Sequence, residues 1–224
     1  MVQPMSQTTR KILGVGMHKT GTKSFANALR TLGYRVTGPF GVNERQARDT
    51  TLKHALKTLE ESDAAQDNPW PFLYREIDAA YPGSKFILTY REPEDWIQSV
   101  VRHFGGTSTP MREWIYGVGD PKGNEDRYLG VYERHNLTVS AYFADRSDDF
   151  MTLKVGDDGG WSGLCQFLGM AVPTTPFPHL NSERQRRRRQ SLVHRLTKGV
   201  SEGNSNLMAK AIRRALPGTN SLRA

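Results

Sequence analysis

With a single cysteine, Cys165, the 224-residue chain has no second thiol for an intrachain disulfide. A lone thiol in an apolar setting (GLCQFLG) suits a buried packing role and a reducing compartment, so the expectation is a cytoplasmic protein. Long apolar runs are also missing. Hydrophobic residues make up 37% of the chain, and nothing approaches the roughly 20 consecutive apolar residues of a membrane span. Residues 1–10 have no apolar signal core and read as a disordered lead. Acid is scarce in one place. Residues 181–224 hold eleven basic side chains against Glu183 and Glu202, so the formal net charge of +8 lies there and the body is close to neutral. The basicity belongs to a helical C-terminal extension over 183–224, not to the fold. Leu192, Val193, Leu196 and Val200 give that extension an apolar stripe beside the arginine run 186–189. A solvated face or peripheral contact with a membrane fits it, and a nucleic-acid-binding body does not.

What is present in quantity is glycine and hydroxyl near the start. Residues 11–32 (KILGVGMHKTGTKSFANALRTL) read as a buried strand, a Gly-rich loop and an amphipathic helix. Ile12, Leu13 and Val15 form the apolar run, and Phe25, Ala28, Leu29 and Leu32 recur at helical spacing. Gly14, Gly16 and Gly21 bracket His18, Lys19, Thr20, Thr22, Lys23 and Ser24. A loop feeding a helix N-terminus points backbone N–H groups at an anion, and glycine lets the backbone approach it. The pattern nearly matches G-x-x-x-x-G-K-[ST], but Thr22 precedes Lys23, which leaves Lys19 or Lys23 as the functional lysine. A metal-dependent ATP site also needs an acid closing a later strand. The apolar run KFILTY at 85–90 is followed by Arg91, a cation suited to an anion rather than to Mg²⁺, and beyond Asp157 and Asp158 no such acid is evident.

Apolar runs at 11–16, 34–36, 85–90 and 150–155 alternate with helical patterns at 22–33, 43–62, 72–80, 91–104, 125–145 and 161–168. Residues 111–122 are ambiguous. The alternation predicts one α/β domain over 11–182, a three-layer, P-loop-like parallel sheet flanked by helices.

Two motifs in this order resemble the sulfotransferases that use 3′-phosphoadenosine 5′-phosphosulfate (PAPS). One is Lys19-Thr20-Gly21-Thr22-Lys23-Ser24 after the first strand. The other is Arg91 after a later strand, with Ser99 eight residues on. The segment FPHLN at 177–181 is similar to the end of the catalytic domain in one branch of these enzymes. The resemblance implies metal-independent transfer of a sulfuryl group to a hydroxyl, less often an amine, of a small-molecule or glycan acceptor, with PAP as product. It implies that the loop, from His18 to Ser24, cradles the 5′ end and that Lys19 stabilises the leaving oxygen. Arg91 and Ser99 would grip the 3′-phosphate. The general base is then Asp67 or, second, Glu44. The tryptophan that stacks on adenine in many members is missing, which leaves a ring such as Trp70, and Arg184 with the run 186–189 stands where a C-terminal R-K-G motif would be. The alternatives are a P-loop kinase using ATP and Mg²⁺, and a non-catalytic nucleotide fold whose basic tail binds nucleic acid or membrane.

Overall fold

The computed structural model describes residues 10–45, 48–155 and 160–179. The disordered lead expected over 1–10 lies outside these except for Arg10. Asp157, Asp158, Arg184, the arginine run and the whole extension over 183–224 lie outside them too. The first compact unit ends at His179.

Five parallel strands form one sheet in the order β2-β3-β1-β4-β5. They are β1 (Ile12–Gly14), β2 (Val36–Thr37), β3 (Ala64–Ala65), β4 (Lys85–Tyr90) and β5 (Phe150–Lys154). The helices are α1 (Thr22–Thr31), α2 (Arg48–Glu60), α3 (Tyr74–Ala80), α4 (Pro93–Phe104), α5 (Pro110–Tyr116), α6 (Glu125–Tyr142) and α7 (Gly160–Leu168), with a 3-10 turn at Trp70–Phe72. The α/β, parallel-sheet expectation is met.

Alternation along the strands builds two cores, because successive side chains leave a strand on opposite faces. Leu13, Ala65, Phe86 and Leu88 pack with Ala55, Leu59, Ile77 and Val139 of α2, α3 and α6. Ile12, Ala64, Ile87 and Leu153 pack with Phe25, Ala28 and Leu29 of α1 and with Trp161, Leu164 and Cys165 of α7. Register agrees, since Leu13 pairs with both Phe86 and Ala65, and Ile12 with Ala64. A third cluster of Met17, Trp96, Ile97, Val100, Tyr116, Tyr128 and Tyr132 joins the segment after β1 to α4, α5 and α6.

Several boundaries differ from the sequence reading. The strand expected at 34–36 is Val36–Thr37. The strand Ala64–Ala65 was not anticipated, since two alanines carry neither β-branching nor alternation. The helix expected over 43–62 begins at Arg48, so Glu44 sits exposed in a turn rather than at a helix start. The ambiguous stretch contains α5, with Thr109 as N-cap accepting the Arg112 N–H, Pro110 in the first turn and Gly117 closing it at φ 73°.

Ligands of such sheets bind outside the carboxyl ends of the strands, where the chain switches direction along the sheet. Here that crevice lies between β1 and its neighbours β3 and β4. Gly16 lets the loop after β1 cross β4 closely: a Cβ there would collide with the carbonyl, hydroxyl and amide of Thr89. Gly16→Ala should therefore destabilise the protein by about 1–3 kcal/mol or prevent folding, which urea denaturation measures. An unchanged midpoint would mean that the loop is free to move off β4.

Candidate functional site

Four segments meet at the carboxyl edge: 15–24 after β1, 66–70 after β3, 91 onward after β4, and α5. The loop after β1 ends at Gly21, which serves as N-cap of α1 at φ 103° with no side chain capping it. The first intrahelical bond runs from the Phe25 N–H to the Gly21 carbonyl at 3.0 Å, so the N–H groups preceding it have no acceptor within the helix. The first turn holds no acid. An uncapped helix start with Lys23 exposed beside it favours an anion.

The loop hydroxyls act differently from expectation. Thr20 is 2% exposed; its hydroxyl donates to the Met17 carbonyl at 2.6 Å and meets the Thr89 hydroxyl at 2.6 Å. It fastens the loop to β4. Thr22 donates its hydroxyl to Asp67 Oδ2 at 2.9 Å. Ser24 and Ser99, at 2% and 4% exposure, are also enclosed. The cradle is thus backbone and cation, with its threonine hydroxyls engaged inside the protein.

His18, expected among the cofactor contacts, has its side chain inside the protein. It is buried, its ring against Phe104 at 5.1 Å and Tyr116 at 5.7 Å. Its carbonyl accepts from Trp96 Nε1 at 2.8 Å, Nδ1 meets Asn68 Nδ2 at 2.8 Å, and Nε2 meets the Tyr116 hydroxyl at 3.1 Å. Burial first, then the charges of Arg112, Lys19 and His103, lower its pKa to about 3. A neutral ring accepts from Asn68 Nδ2 and donates to Tyr116, while the buried Asn68 Oδ1 has no partner among the described residues.

The same group of rings sets Arg91. Trp96 stacks on Tyr132 at 4.1 Å and 8°. The Tyr132 hydroxyl accepts from the Arg91 N–H at 3.1 Å and donates to the Arg91 carbonyl at 2.6 Å. Among the described residues Arg91 makes no ion pair; its neighbour Glu92 takes Lys154 instead, at 2.9 Å.

Asp67 lies just beyond β3, on the other side of β1. Its carboxylate accepts from Thr22 and from the Asn68 N–H at 2.8 Å. It keeps some exposure, yet burial raises its pKa against the pull of those two donors and of Lys23 and Lys19. Lys19 and Asp67, at φ 68° and 70°, are the non-glycine residues with positive φ among those described. Backbone strain of this kind concentrates at functional sites. An acid does therefore close a strand next to β1, contrary to the sequence reading. Two alanines hid the strand, and the Thr22 contact spans 45 residues.

The remaining candidates separate from this group. Glu44 is exposed in its turn. Trp70 cannot stack on a ligand: it is 0% exposed, and its Nε1 donates to the Gly38 carbonyl at 2.7 Å. Arg112, not singled out from the sequence, is 5% exposed and donates to the carbonyls of Gly119 and Thr107, each at 2.6 Å. It ties the segments before and after α5 together beside His18.

A sulfotransferase domain family model matches residues 11–124 and 109–186, and the chain belongs to that family. A relative from Aspergillus versicolor, "Ava biosynthesis cluster protein M", is 26% identical over 217 residues, covering 76% of this chain and 80% of its own length. No helix among the described residues is long and apolar enough to cross a membrane.

The buried histidine has a pH consequence. Its folded pKa of about 3 lies below the unfolded value of 6.5, so between these values the unfolded chain binds more protons, and stability falls as pH falls. His18→Gln should remove a slope of about 1.4 kcal/mol per pH unit below pH 6, read by urea melts at pH 7, 6 and 5. An unaltered slope would mean that His18 is not held neutral.

Proposed function

We propose that the chain transfers the sulfuryl group of PAPS to a hydroxyl, or less often an amine, of a small-molecule or glycan acceptor, without a metal. The observation that carries this reading is the pair of strained residues, Lys19 and Asp67, on either side of the uncapped α1 start. Backbone N–H groups of the loop and Lys23 hold the 5′-phosphosulfate, and Arg91 takes the 3′-phosphate. Asp67 accepts the proton of the acceptor O–H as the oxygen attacks sulfur. The bond from sulfur to the bridging oxygen breaks, and that oxygen leaves on PAP with its charge met by the Lys19 ammonium. Stabilising such a developing anion is worth a few kcal/mol. The name of the Aspergillus versicolor relative, a biosynthesis cluster protein, fits a small-molecule acceptor.

One observation favours a second reading. A threonine hydroxyl at a helix start bonded to a strand-end acid is also how P-loop kinases arrange a hydroxyl and an acid around Mg²⁺, and Thr22 with Asp67 has that form. Family membership weighs for the first.

Lys19→Met should lower kcat by about 100-fold while leaving the Kd for PAP within a few-fold. Asp67→Asn should abolish transfer and retain PAP binding. In the wild type, the acid limb of kcat/KM should lie above the ordinary carboxylate pKa of about 3.9, because burial raises Asp67 and the base works only when ionised. Full activity in Asp67→Asn would remove it from the mechanism.

A further inference from the structure

We propose that Tyr132 of α6 is a positioning residue for Arg91, and that its hydroxyl sets the preference of the donor site for a 3′-phosphorylated nucleotide; this rests on the sulfotransferase reading above. Arg91 stands in the two-residue link between β4, which ends at Tyr90, and α4, which begins at Pro93. Neither a strand nor a helix fixes such a link by its own pattern. Two devices do so here. Pro93 confines Glu92 to an extended conformation, and Glu92 has φ −55° and ψ 135°. Tyr132, 41 residues away, closes on Arg91 itself: the hydroxyl accepts the Arg91 N–H at 3.1 Å and donates to the Arg91 carbonyl at 2.6 Å. Asn136, one turn further along α6, adds its side chain to the same hydroxyl. A tyrosine hydroxyl has one proton to donate and two lone pairs to accept with, and two of these three positions are spent on a single residue.

The packing around the ring gives no reason for that hydroxyl. Tyr132 is fully buried and lies face to face with Trp96, whose own ring is sealed. A phenylalanine would stack on Trp96 as well, so the oxygen is placed for the backbone of Arg91. Tyr128, one turn earlier on α6 and equally buried, uses its hydroxyl differently, on the carbonyls of Val118 and Gly119. Trp96 in turn reaches the loop after β1. Its Nε1 donates to the His18 carbonyl at 2.8 Å, which belongs to the peptide bond leading into Lys19, a residue held at φ 68°. The two rings therefore join the loop that takes the 5′ end of the donor to the start of the arginine that takes the 3′ end. An arginine side chain is long and swings freely, and a ligand that captures it from an unfixed backbone loses affinity to the cost of ordering it. A backbone fixed beforehand removes part of that cost, and does so only for a ligand that uses the guanidinium.

The test uses the full chain and two nucleotides, PAP and AMP, which differ only in the 3′-phosphate. The Kd of each is measured by calorimetry, and folding by urea denaturation. The wild type should bind PAP at least about tenfold more tightly than AMP. Tyr132→Phe should weaken PAP about tenfold and AMP by less than about twofold. In Arg91→Ala the preference for PAP should already be lost, and adding Tyr132→Phe should change neither Kd further, because the hydroxyl acts through Arg91. A hydroxyl that merely supports the core would weaken both nucleotides, and on both backgrounds; that result would overturn the proposal, as would an unchanged Kd for PAP in Tyr132→Phe. If Tyr132→Phe shows no cooperative unfolding transition, Asn136→Ala decides. It leaves both bonds to Arg91 possible but frees the hydroxyl to turn, so PAP should weaken about threefold with AMP unchanged. PAP binding at the wild-type level in Asn136→Ala would then overturn the proposal. Equal affinity of the wild type for PAP and AMP, or a full preference for PAP kept in Arg91→Ala, would overturn the 3′-phosphate reading of Arg91 and the proposal with it.

Discussion

The hydrogen bonds and ring contacts of His18 are the constraint on which the site depends. One residue of the loop after β1 reaches the segment after β3 through Asn68, α4 through Trp96 and α5 through Tyr116. Trp96 passes the constraint to Tyr132, which holds both backbone groups of Arg91. The cradle, the strand-end acid and the arginine are brought by three different strands, and their mutual placement rests on this buried polar and aromatic group. A buried hydrogen bond in a low dielectric is strong, and the network leaves one costly group, the unpaired Asn68 Oδ1. The lowered pKa of His18 is the same fact in electrostatic terms: a charged ring at this place would face Arg112 and Lys19 in a dry interior.

Around that fixed frame the chemistry is concentrated in two strained residues. Lys19 and Asp67 hold backbone conformations that non-glycine residues rarely adopt, and neither strain persists without surrounding structure to enforce it. For Asp67 the enforcement is visible in the Thr22 hydroxyl and the Asn68 N–H on its two oxygens. Burial and cations act on it in opposite directions, which leaves a carboxylate more basic than usual beside Lys19 and Lys23.

What could be read from the sequence was local. The strand, loop and helix of 11–32 were legible because apolar spacing changes period at the glycines, and the segment from Arg91 was legible from Pro93 and the acids of its first turn. Asp67 stood out only through resemblance. Its bond to Thr22 and the strand beneath it were hidden, since Ala64–Ala65 is too short and too plain to signal a strand. The sequence around His18 gives no sign of its burial, because its partners lie 50, 78 and 98 residues away. The hydroxyl-rich loop suggested side-chain contacts with a ligand, whereas Thr20 and Thr22 turn inward. Trp70 was misread for a related reason: a ring near a turn looks available until the chain packs Phe40 against it, at 5.1 Å.

The most direct test of the account is the thermal shift of the purified protein with PAP, beside ADP with and without Mg²⁺. A ligand at about 100 times its Kd adds roughly 2.7 kcal/mol, on the order of 5 °C for a chain of this size. The account predicts that PAP alone, with no metal added, gives that shift and that ADP gives little under either condition. A shift confined to ADP with Mg²⁺ would contradict it, making Thr22 and Asp67 part of a metal-dependent nucleotide site and leaving Arg91 without its phosphate.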